Sequence, residues 1–574
     1  MNSREFDALM KRKFFFTPSF GIYGGVSGLY DLGPTGCSIK NNLIQMWRKH
    51  FIQPDSIYEI DTTSVTPYQV LNVSGHVEKF TDMMVCDKTS GKEYRADHLI
   101  EDFLKKHSII EDIDFTNPLE VYEAIQKFQI TAPETSGELD FPKECNLMFK
   151  TKIGPTGKSS AFLRPETAQG IFMNFNKLLE LNGQRLPFAG ATIGRAFRNE
   201  ISQKPLVRGL EFTLCEIEHF FDPLDSSHRK IRNVEKLKVL LHTRDGQIKN
   251  ITIREALDEK IITNETLAYY LGRTHLFAEK IGLKTFRFRQ HKKNEMAHYA
   301  SDCWDLEIFT SYGWLECAGL ADRSCYDLKV HSEATSTPLQ VFVPYETPVK
   351  VQKLVVNFDR SSIGKTYRGY SKFIFDYLSR LTDKEIIVFR DELNESRNVV
   401  IYDEQGNDFM LSPDMVQVAT KETTENGRYF IPNVVEPSFG VERLLYSLWE
   451  QSFYIREESS DEEKISRGVM GLQVKLAPFI CTVLPLMIKK ELTDFSLKVT
   501  DKLSEAEIYF TEDNSGASIG KRYARSDEIG IPFAITIDYQ SLEDSTITLR
   551  ERDSMKQTRV HINDICETLR NLTK

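Results

Sequence analysis

The sequence predicts an α+β chain of several domains, with a core assembled from distant segments and a separate α/β domain at its C-terminal end. Length sets the scale: 574 residues, at roughly 150 per domain, imply about three to four domains. Strongly patterned stretches alternate with blander, more charged ones, the pattern of a core interrupted by insertions. After Gly471 the chain settles into strand–helix–strand, the alternation of an α/β domain. The 41% hydrophobic and 27% charged composition excludes collagen-like, disordered and disulfide-stapled classes.

The elements follow in order. Gly24-Gly-Val-Ser-Gly28 reads as a loop and Gly33-Pro34-Thr-Gly36 as a helix start. Ile39, Leu43, Met46, Trp47 and Phe51 form a helical stripe, closed by Pro54, and 58–65 reads as a strand stopped by Pro67. Residues 146–150 read as a return to the core, 171–181 as a helix, and 191–221 as strand, loop and strand. Residues 222–284 read as helical and polar, and 299–328 as short strands. An amphipathic helix is expected over 370–381, and strand, turn and helix over 429–453. The last domain takes strands at 480–484, 507–510 and 533–537, with helices at 493–503 and 521–529.

Net charge is −10, from 73 Lys+Arg against 83 Asp+Glu. A nucleic-acid partner must therefore meet a local basic patch. Nine cysteines without a C-x-x-C pair argue against a disulfide scaffold or a zinc site and fit a reduced cytoplasmic compartment. The first residues lack the apolar core of a signal peptide. No apolar run reaches the ~18 residues of a membrane span.

Two stretches carry chemistry. In Phe197-Arg198-Asn199-Glu200 and Arg208-Gly209-Leu-Glu-Phe212-Thr-Leu-Cys-Glu216, alternate strand residues share a face. One hairpin face then offers arginines, an aromatic ring and carboxylates in order. Phe212 and Glu216 fall about 13 Å apart, a span that suits a nucleotide at one end and a small amine at the other. The second stretch is Glu436-Pro437-Ser438-Phe-Gly440-Val-Glu-Arg443, leading into Leu444, Leu445 and Leu448. Arg443 falls in a first helical turn, where the helix dipole disfavours a cation.

Together these stretches resemble motifs 2 and 3 of class II aminoacyl-tRNA synthetases, and 34–67 resembles motif 1. Glu436 and Ser438 stand where motif 3 usually has glycines. Almost end to end the chain is similar to the dimeric, eukaryotic and archaeal type of glycyl-tRNA synthetase. Tyr23-Gly-Gly-Val-Ser-Gly-Leu-Tyr-Asp31, Arg164-Pro-Glu-Thr-Ala-Gln-Gly170, Arg198-Asn-Glu-Ile-Ser202 and Glu211-Phe-Thr-Leu-Cys-Glu-Ile-Glu-His219 carry the resemblance. So do Tyr312-Gly-Trp-Leu-Glu316, Ala321-Asp-Arg-Ser-Cys-Tyr-Asp327 and Ser518-Ile-Gly-Lys-Arg-Tyr-Ala-Arg525.

The resemblance implies an antiparallel-sheet catalytic core over 1–87 (motif 1), 146–221 (motif 2), 299–329 and 427–470 (motif 3). Insertions over 88–145, 222–298 and 330–426 would interrupt it, and an α/β anticodon-binding domain over 471–574 would follow. It implies ATP binding by Arg198, Asn199, Glu200, Arg208, Gly209, Phe212, Glu316, Cys317 and Arg443, with Arg198 and Arg443 acting in catalysis and Glu316 holding Mg²⁺. Glu166, Glu216, Glu436, Pro437 and Ser438 would form the glycine pocket, and Lys521, Arg522 and Arg525 would meet tRNA, joined by Arg550, Arg552, Lys556 and Arg559. The implied activity is formation of glycyl-adenylate and transfer of glycine to the 3′ end of tRNA(Gly) by a homodimer. Diadenosine tetraphosphate synthesis is an allowed side reaction. The loop at 203–207 lacks the arginine and glycine of the animal type.

The alternatives are an idle binding module, which the three retained arginines oppose, and a class II enzyme for proline, threonine or serine. Phe286-Arg-Phe-Arg-Gln-His-Lys-Lys293 has the basic–aromatic mix of a nucleic-acid strip but reads as ordinary surface. His76, His98, His291 and His298 have no metal spacing and read as structural or exposed; Cys325 reads as packed.

Overall fold

The computed structural model describes residues 3–111, 113–201, 203–293, 295–297, 299–459 and 464–573. Ser202 and His298 lie outside them. The centre is a nine-stranded sheet. Its order is Ile248–Thr252, Lys238–His242, Phe286–Gln290, Asp302–Thr310, Gly313–Ser324, Asn433–Gly440, Glu211–Phe221, Phe188–Phe197 and Tyr58–Glu59. The six middle strands run antiparallel.

Behind the sheet packs Pro34–Trp47, a helix begun by a proline at its first turn, where the missing N–H costs nothing. Its Ile39, Leu43, Met46 and Trp47 are buried in the main core, with Phe51 beyond the helix end. Val441–Ser452 follows the Asn433–Gly440 strand directly and buries Leu444, Leu445 and Leu448 in the same core.

Several expectations are corrected. The strand expected over 58–65 splits into Val65–Pro67, which includes the proline expected to stop it and joins a small three-stranded sheet, and Tyr58–Glu59 in the central sheet. Beyond it the Arg164 guanidinium takes the Thr62 carbonyl at 2.9 Å and Arg164 N–H takes the Ser64 carbonyl, drawing the backbone off the sheet. Residues 146–150 bridge two small sheets instead of joining the central one. The segment 222–284, expected to be helical and polar, holds the helices Ile253–Asp258 and Glu265–Ile281 but also supplies the last two strands of the sheet, Lys238–His242 and Ile248–Thr252. The strip at 286–293 opens with the strand Phe286–Gln290. Arg287 stacks on Trp314 and bonds Glu307 at 2.7 Å, and Arg289 pairs with Asp305 at 3.0 Å, so neither is a free phosphate contact.

Ala96–His107 and Pro118–Lys127 form a small core with the Thr81–Cys86 strand. At the C-terminal end a five-stranded sheet runs Phe510–Glu512, Cys481–Pro485, Phe533–Ile537, Thr546–Glu551, Gln557–His561. Its first three strands are parallel, and it has its own core. Arg456 joins Asp527 of this domain at 2.7 Å.

Residues 340–430 form a separate compact unit. It contains the hairpin Val341–Phe358/Val416–Phe430, the helices Arg360–Tyr367, Ser371–Arg380 and Asp383–Ser396, and its own apolar core.

Candidate active site

The exposed face of the central sheet floors a cavity of about 700 Å³. Among the expected site residues, Glu166, Arg198, Glu200, Arg208, Gly209, Phe212, Glu216, Glu316, Cys317, Glu436, Ser438 and Arg443 line it. Asn199 and Pro437 do not. Asn199 gives its N–H to the Leu147 carbonyl at 2.7 Å, and Pro437 sits within its strand opposite Leu320.

One end of the cavity is cationic and aromatic. The Arg198 guanidinium lies 5.3 Å from the ring centres of both Phe212 and Phe80, within cation–π range of each. Its Nε donates to the Pro165 carbonyl at 3.2 Å. Arg443 Nε donates to the Val207 carbonyl at 2.8 Å, which braces the motif 2 loop from the motif 3 helix. Its Nη1 meets the Glu316 carboxylate at 3.2 Å. Burial alone would raise the Glu316 carboxyl, but Arg443 and Arg198 outweigh it and hold the group below its ordinary value. Arg208 Nη1 is buried without a hydrogen-bond partner among the described residues.

The loop is held by close backbone approach. Gly28 has φ +83°, and a Cβ there would come within 2.7 Å of Leu210 Cγ and Gln203 Cγ. Leu210 N–H donates to the Gly28 carbonyl at 2.8 Å. Cys317 turns its thiol to Ser447 Oγ at 3.4 Å, and burial pushes it up to about 12. It is a packed thiol of the main core, at a bulge that interrupts the strand's alternation next to Glu316.

The other end is a cluster of carboxylates. Glu216 Oε1 accepts from Ser438 Oγ at 2.7 Å, and its Oε2 accepts from the Thr167 N–H at 2.7 Å and from the Thr167 hydroxyl. Glu166 accepts from Gln169 at 2.9 Å and meets His76 Nε2 at 3.3 Å. Burial would raise Glu166, yet His76 and Arg323 hold it far below the usual range. Glu436 Oε2 takes Arg323 Nη1 at 2.6 Å. Burial pushes its carboxyl up to about 8 against the pull of Arg323, with Glu216 and Glu166 adding to the rise.

A cationic, aromatic end and a carboxylate-rich end of one cavity narrow the possibilities, and comparison with known proteins decides between them. Residues 149–452 match the tRNA synthetase class II core domain (G, H, P, S and T), and residues 481–572 match an anticodon binding domain. Glycine–tRNA ligase 2 of Saccharomyces cerevisiae is 44% identical, covering 99% of this chain and 96% of its own. The glycine–tRNA ligase of Methanocaldococcus jannaschii is 40% identical over 99% and 98%. Glycine–tRNA ligase 1, mitochondrial, of the same yeast is 39% identical over 100% and 91%.

The chain belongs to the glycine–tRNA ligases.

As a class II synthetase the ligase uses ATP, and several groups in its site escape a reading of the sequence. Arg323 is fully buried and bonds Asp327 through Nε at 2.9 Å and Glu436 through Nη1 at 2.6 Å. It lies 3.8 Å from the Tyr299 ring centre. Its signal was its place in Ala321–Asp327, one strand step past the floor. His76 is buried beside Glu166, as a structural reading allows, but it lines the cavity. His291 is no bystander either. It bonds Asp305 at 2.8 Å and lies with Cys303 and Asp305 so that their ligand atoms are within 4.8 Å of one another. Sequence spacing cannot reveal that trio.

In the C-terminal domain of the ligase the expected tRNA contacts divide. Lys521 is exposed. Arg525 is exposed but bonds Asp513 at 3.1 Å and Ser515 at 2.7 Å. Arg522 is corrected: it is 1% exposed and donates to the Pro485, Leu486 and Asp513 carbonyls. It ties strand ends together and offers nothing to phosphate. Arg550 and Arg552 are buried as well, on Asp527 and on the Gly530 and Leu472 carbonyls. Among the described residues no helix is long and apolar enough to cross a membrane.

Proposed function

We propose that this ligase condenses glycine with ATP to glycyl-adenylate and pyrophosphate, then passes glycine to the 3′-terminal ribose of tRNA(Gly). The observation that carries this is the carboxylate cluster of Glu166, Glu216 and Glu436 at one end of a cavity whose other end holds Arg198, Phe212 and Arg443.

In this reading adenine lies between Phe212 and Arg443. Arg198 binds the α-phosphate, Arg208 with Gly209 the terminal phosphate, and Asn199 and Glu200 orient the Arg198 turn. The glycine carboxylate attacks the α-phosphorus in line. Arg198 and Arg443 stabilise the growing charge from fixed positions, so catalysis is electrostatic positioning and needs no protein nucleophile. The Glu316 carboxylate is a hard oxygen donor facing the cavity. It suits Mg²⁺, which would supply charge neutralisation to the phosphates.

The glycine ammonium bonds Glu166, Glu216 and Glu436, with Ser438 and the adjoining Pro437 backbone fixing the wall. An apolar pocket separates amino acids differing by one methylene by only ~1–3 kcal/mol. Charged side chains already tied to Thr167, Gln169 and Arg323 cannot retreat from a β-methyl, which makes refusal of alanine steric. Lys521 and Arg525 are the exposed cations placed for tRNA phosphate. The exposed apolar side chains of Phe20, Ile22 and Tyr23 beside the motif 1 helix suit a second copy, hence a homodimer. Nine unpaired cysteines suit the cytoplasm. ATP attack on the adenylate would give diadenosine tetraphosphate by the same geometry.

The test is ATP–pyrophosphate exchange with glycine, alanine, serine, proline and threonine in parallel. Exchange with glycine alone is expected, and Arg198→Ala should lower it by about 10²–10³-fold. Exchange with another amino acid would discard the pocket; a near-normal rate in Arg198→Ala would discard the phosphate assignment.

A further inference from the structure

Below the carboxylates of the pocket lies one more that the proposed reaction does not use. Glu218 shares its strand face with Phe212, Leu214 and Glu216, one step deeper than Glu216. It is fully buried, and neither of its carboxylate oxygens has a hydrogen-bond partner among the described residues. The register that pairs Glu216 with Ser438 and His219 with Val435 sets Glu218 directly across from Glu436. On its other side it faces Gly190, where a Cβ would meet Ile171 at 2.8 Å and Leu178 at 3.0 Å, so that flank is apolar.

Two buried carboxylates directly opposite each other repel, and a bare buried charge is far costlier than a neutral acid. The surrounding groups are Glu216 from the same strand, Glu436 from the next, Arg323 from the strand beyond, Asp327 from the Tyr326–Thr335 helix and Tyr270 from the Glu265–Ile281 helix. The guanidinium among them contacts Glu436, Glu166 and Asp327, and among the described residues none hydrogen-bonds Glu218. The guanidinium thus supports Glu436 and not Glu218, so of the facing pair Glu218 holds its proton the more strongly. Burial first, and Glu436 second, hold Glu218 well above its ordinary value.

Resting on the glycine reading above, we infer that Glu218 carries a proton in the free ligase and gives it up to solvent when the substrate ammonium enters between Glu166, Glu216 and Glu436. Without substrate, the pocket's anions outnumber its one arginine, and the proton on Glu218 supplies a missing positive charge. Glycine arrives as a zwitterion, already bearing its ammonium. That cation takes over the role of the proton, whose O–H bond breaks as it passes to water or buffer. The Glu218 carboxylate then adds its attraction to the bound ammonium. Glu218 is thus a positioning and affinity-setting residue, and glycine binding is linked to pH.

The test is the glycine KM in ATP–pyrophosphate exchange from pH 6 to 8 on the full chain, with the ATP KM as control. Release of one proton makes glycine KM fall with rising pH by up to about tenfold per unit, while the ATP KM stays level. Glu218→Gln mimics the protonated acid, so its glycine KM should sit at the wild-type acidic limit at every pH. Should Glu218→Gln fail to fold, calorimetry of glycine binding to the wild-type protein decides. The heat measured in phosphate and in Tris must then differ by the buffer's ionisation enthalpy times the protons released. A flat wild-type glycine KM, buffer-independent heats, or an unchanged slope in Glu218→Gln would overturn this inference alone. Absence of exchange with glycine would overturn the functional reading and this inference with it.

Discussion

Arg323 is the residue on which the cavity floor depends. It is fully enclosed, and its guanidinium meets three carboxylates that sequence places far apart, at 166, 327 and 436. Removing one partner of a buried ion network leaves uncompensated charge at a cost of about 3–5 kcal/mol. Arg323→Met is expected to lower the urea midpoint accordingly, and an unchanged midpoint would contradict the network. Ser438 acts more locally: Ser438→Ala removes the hydroxyl donated to Glu216. A lost hydrogen bond to a charged group is worth about 1.5–3 kcal/mol, so glycine KM should rise at least tenfold with the ATP KM level. The facing acids also set a pH dependence of stability. Glu218 and Glu436 are raised above their unfolded value, so folding binds the extra proton. Their contribution is present below about pH 4.5, the unfolded value, and is lost as pH rises through about 8 for Glu436. Thermal melts without glycine should therefore weaken between pH 5 and about 8, and saturating glycine should flatten that decline.

At the scale of elements, one buried joint ties three motifs together. Lys40 from the Pro34–Trp47 helix donates to Glu442 at 2.7 Å, and Glu442 accepts from the Thr213 N–H at 2.7 Å. Glu442 immediately precedes Arg443, so the motif 1 helix, the motif 2 strand and the motif 3 helix share one ion pair. Lys40→Met is expected to loosen Arg443 and raise the ATP KM in exchange assays more than the glycine KM. Equal effects on both would mark Lys40 as structural only. Elements with strong local signals were legible. Pro34–Trp47 has a proline start and an apolar stripe, and Val441–Ser452 follows a glycine with leucines at helical spacing. Lys238–His242 and Ile248–Thr252 were not, because two five-residue strands carry no periodicity that separates them from a polar helix. Their partners, not their own residues, make them strands.

At the scale of the whole molecule, the proposed charging reaction draws on both the cavity and the C-terminal domain that matches an anticodon binding domain. Arg522 and Lys521 are neighbours with opposite expected phenotypes. Arg522→Ala leaves the Pro485, Leu486 and Asp513 carbonyls short of a donor and should destabilise the domain by on the order of 3 kcal/mol, read by proteolysis of its strand ends. Lys521→Ala should leave melting and pyrophosphate exchange alone, weaken tRNA charging, and shallow the salt dependence of charging by about one phosphate contact. Charging and its salt slope at wild-type values would remove Lys521 from the tRNA surface.

The sequence by itself determined the chemistry available at each end of the site. Arginines and a phenylalanine precede carboxylates along one alternating strand, and Glu436 and Ser438 replace glycines in the facing one. It also determined which helices start at Pro34 and Val441, since prolines, glycines and apolar spacing act within a few residues. Only the tertiary structure decided which charges are free. Arg198 is left facing the cavity while Arg522, Arg550 and Arg552 are consumed by carbonyls and Asp527. Glu218 has no hydrogen-bond partner among the described residues, while Glu216 gains Thr167 and Ser438. The reason is that a side chain's charge state and availability depend on burial and on partners a hundred or more residues away, and those are fixed only when the strands pair.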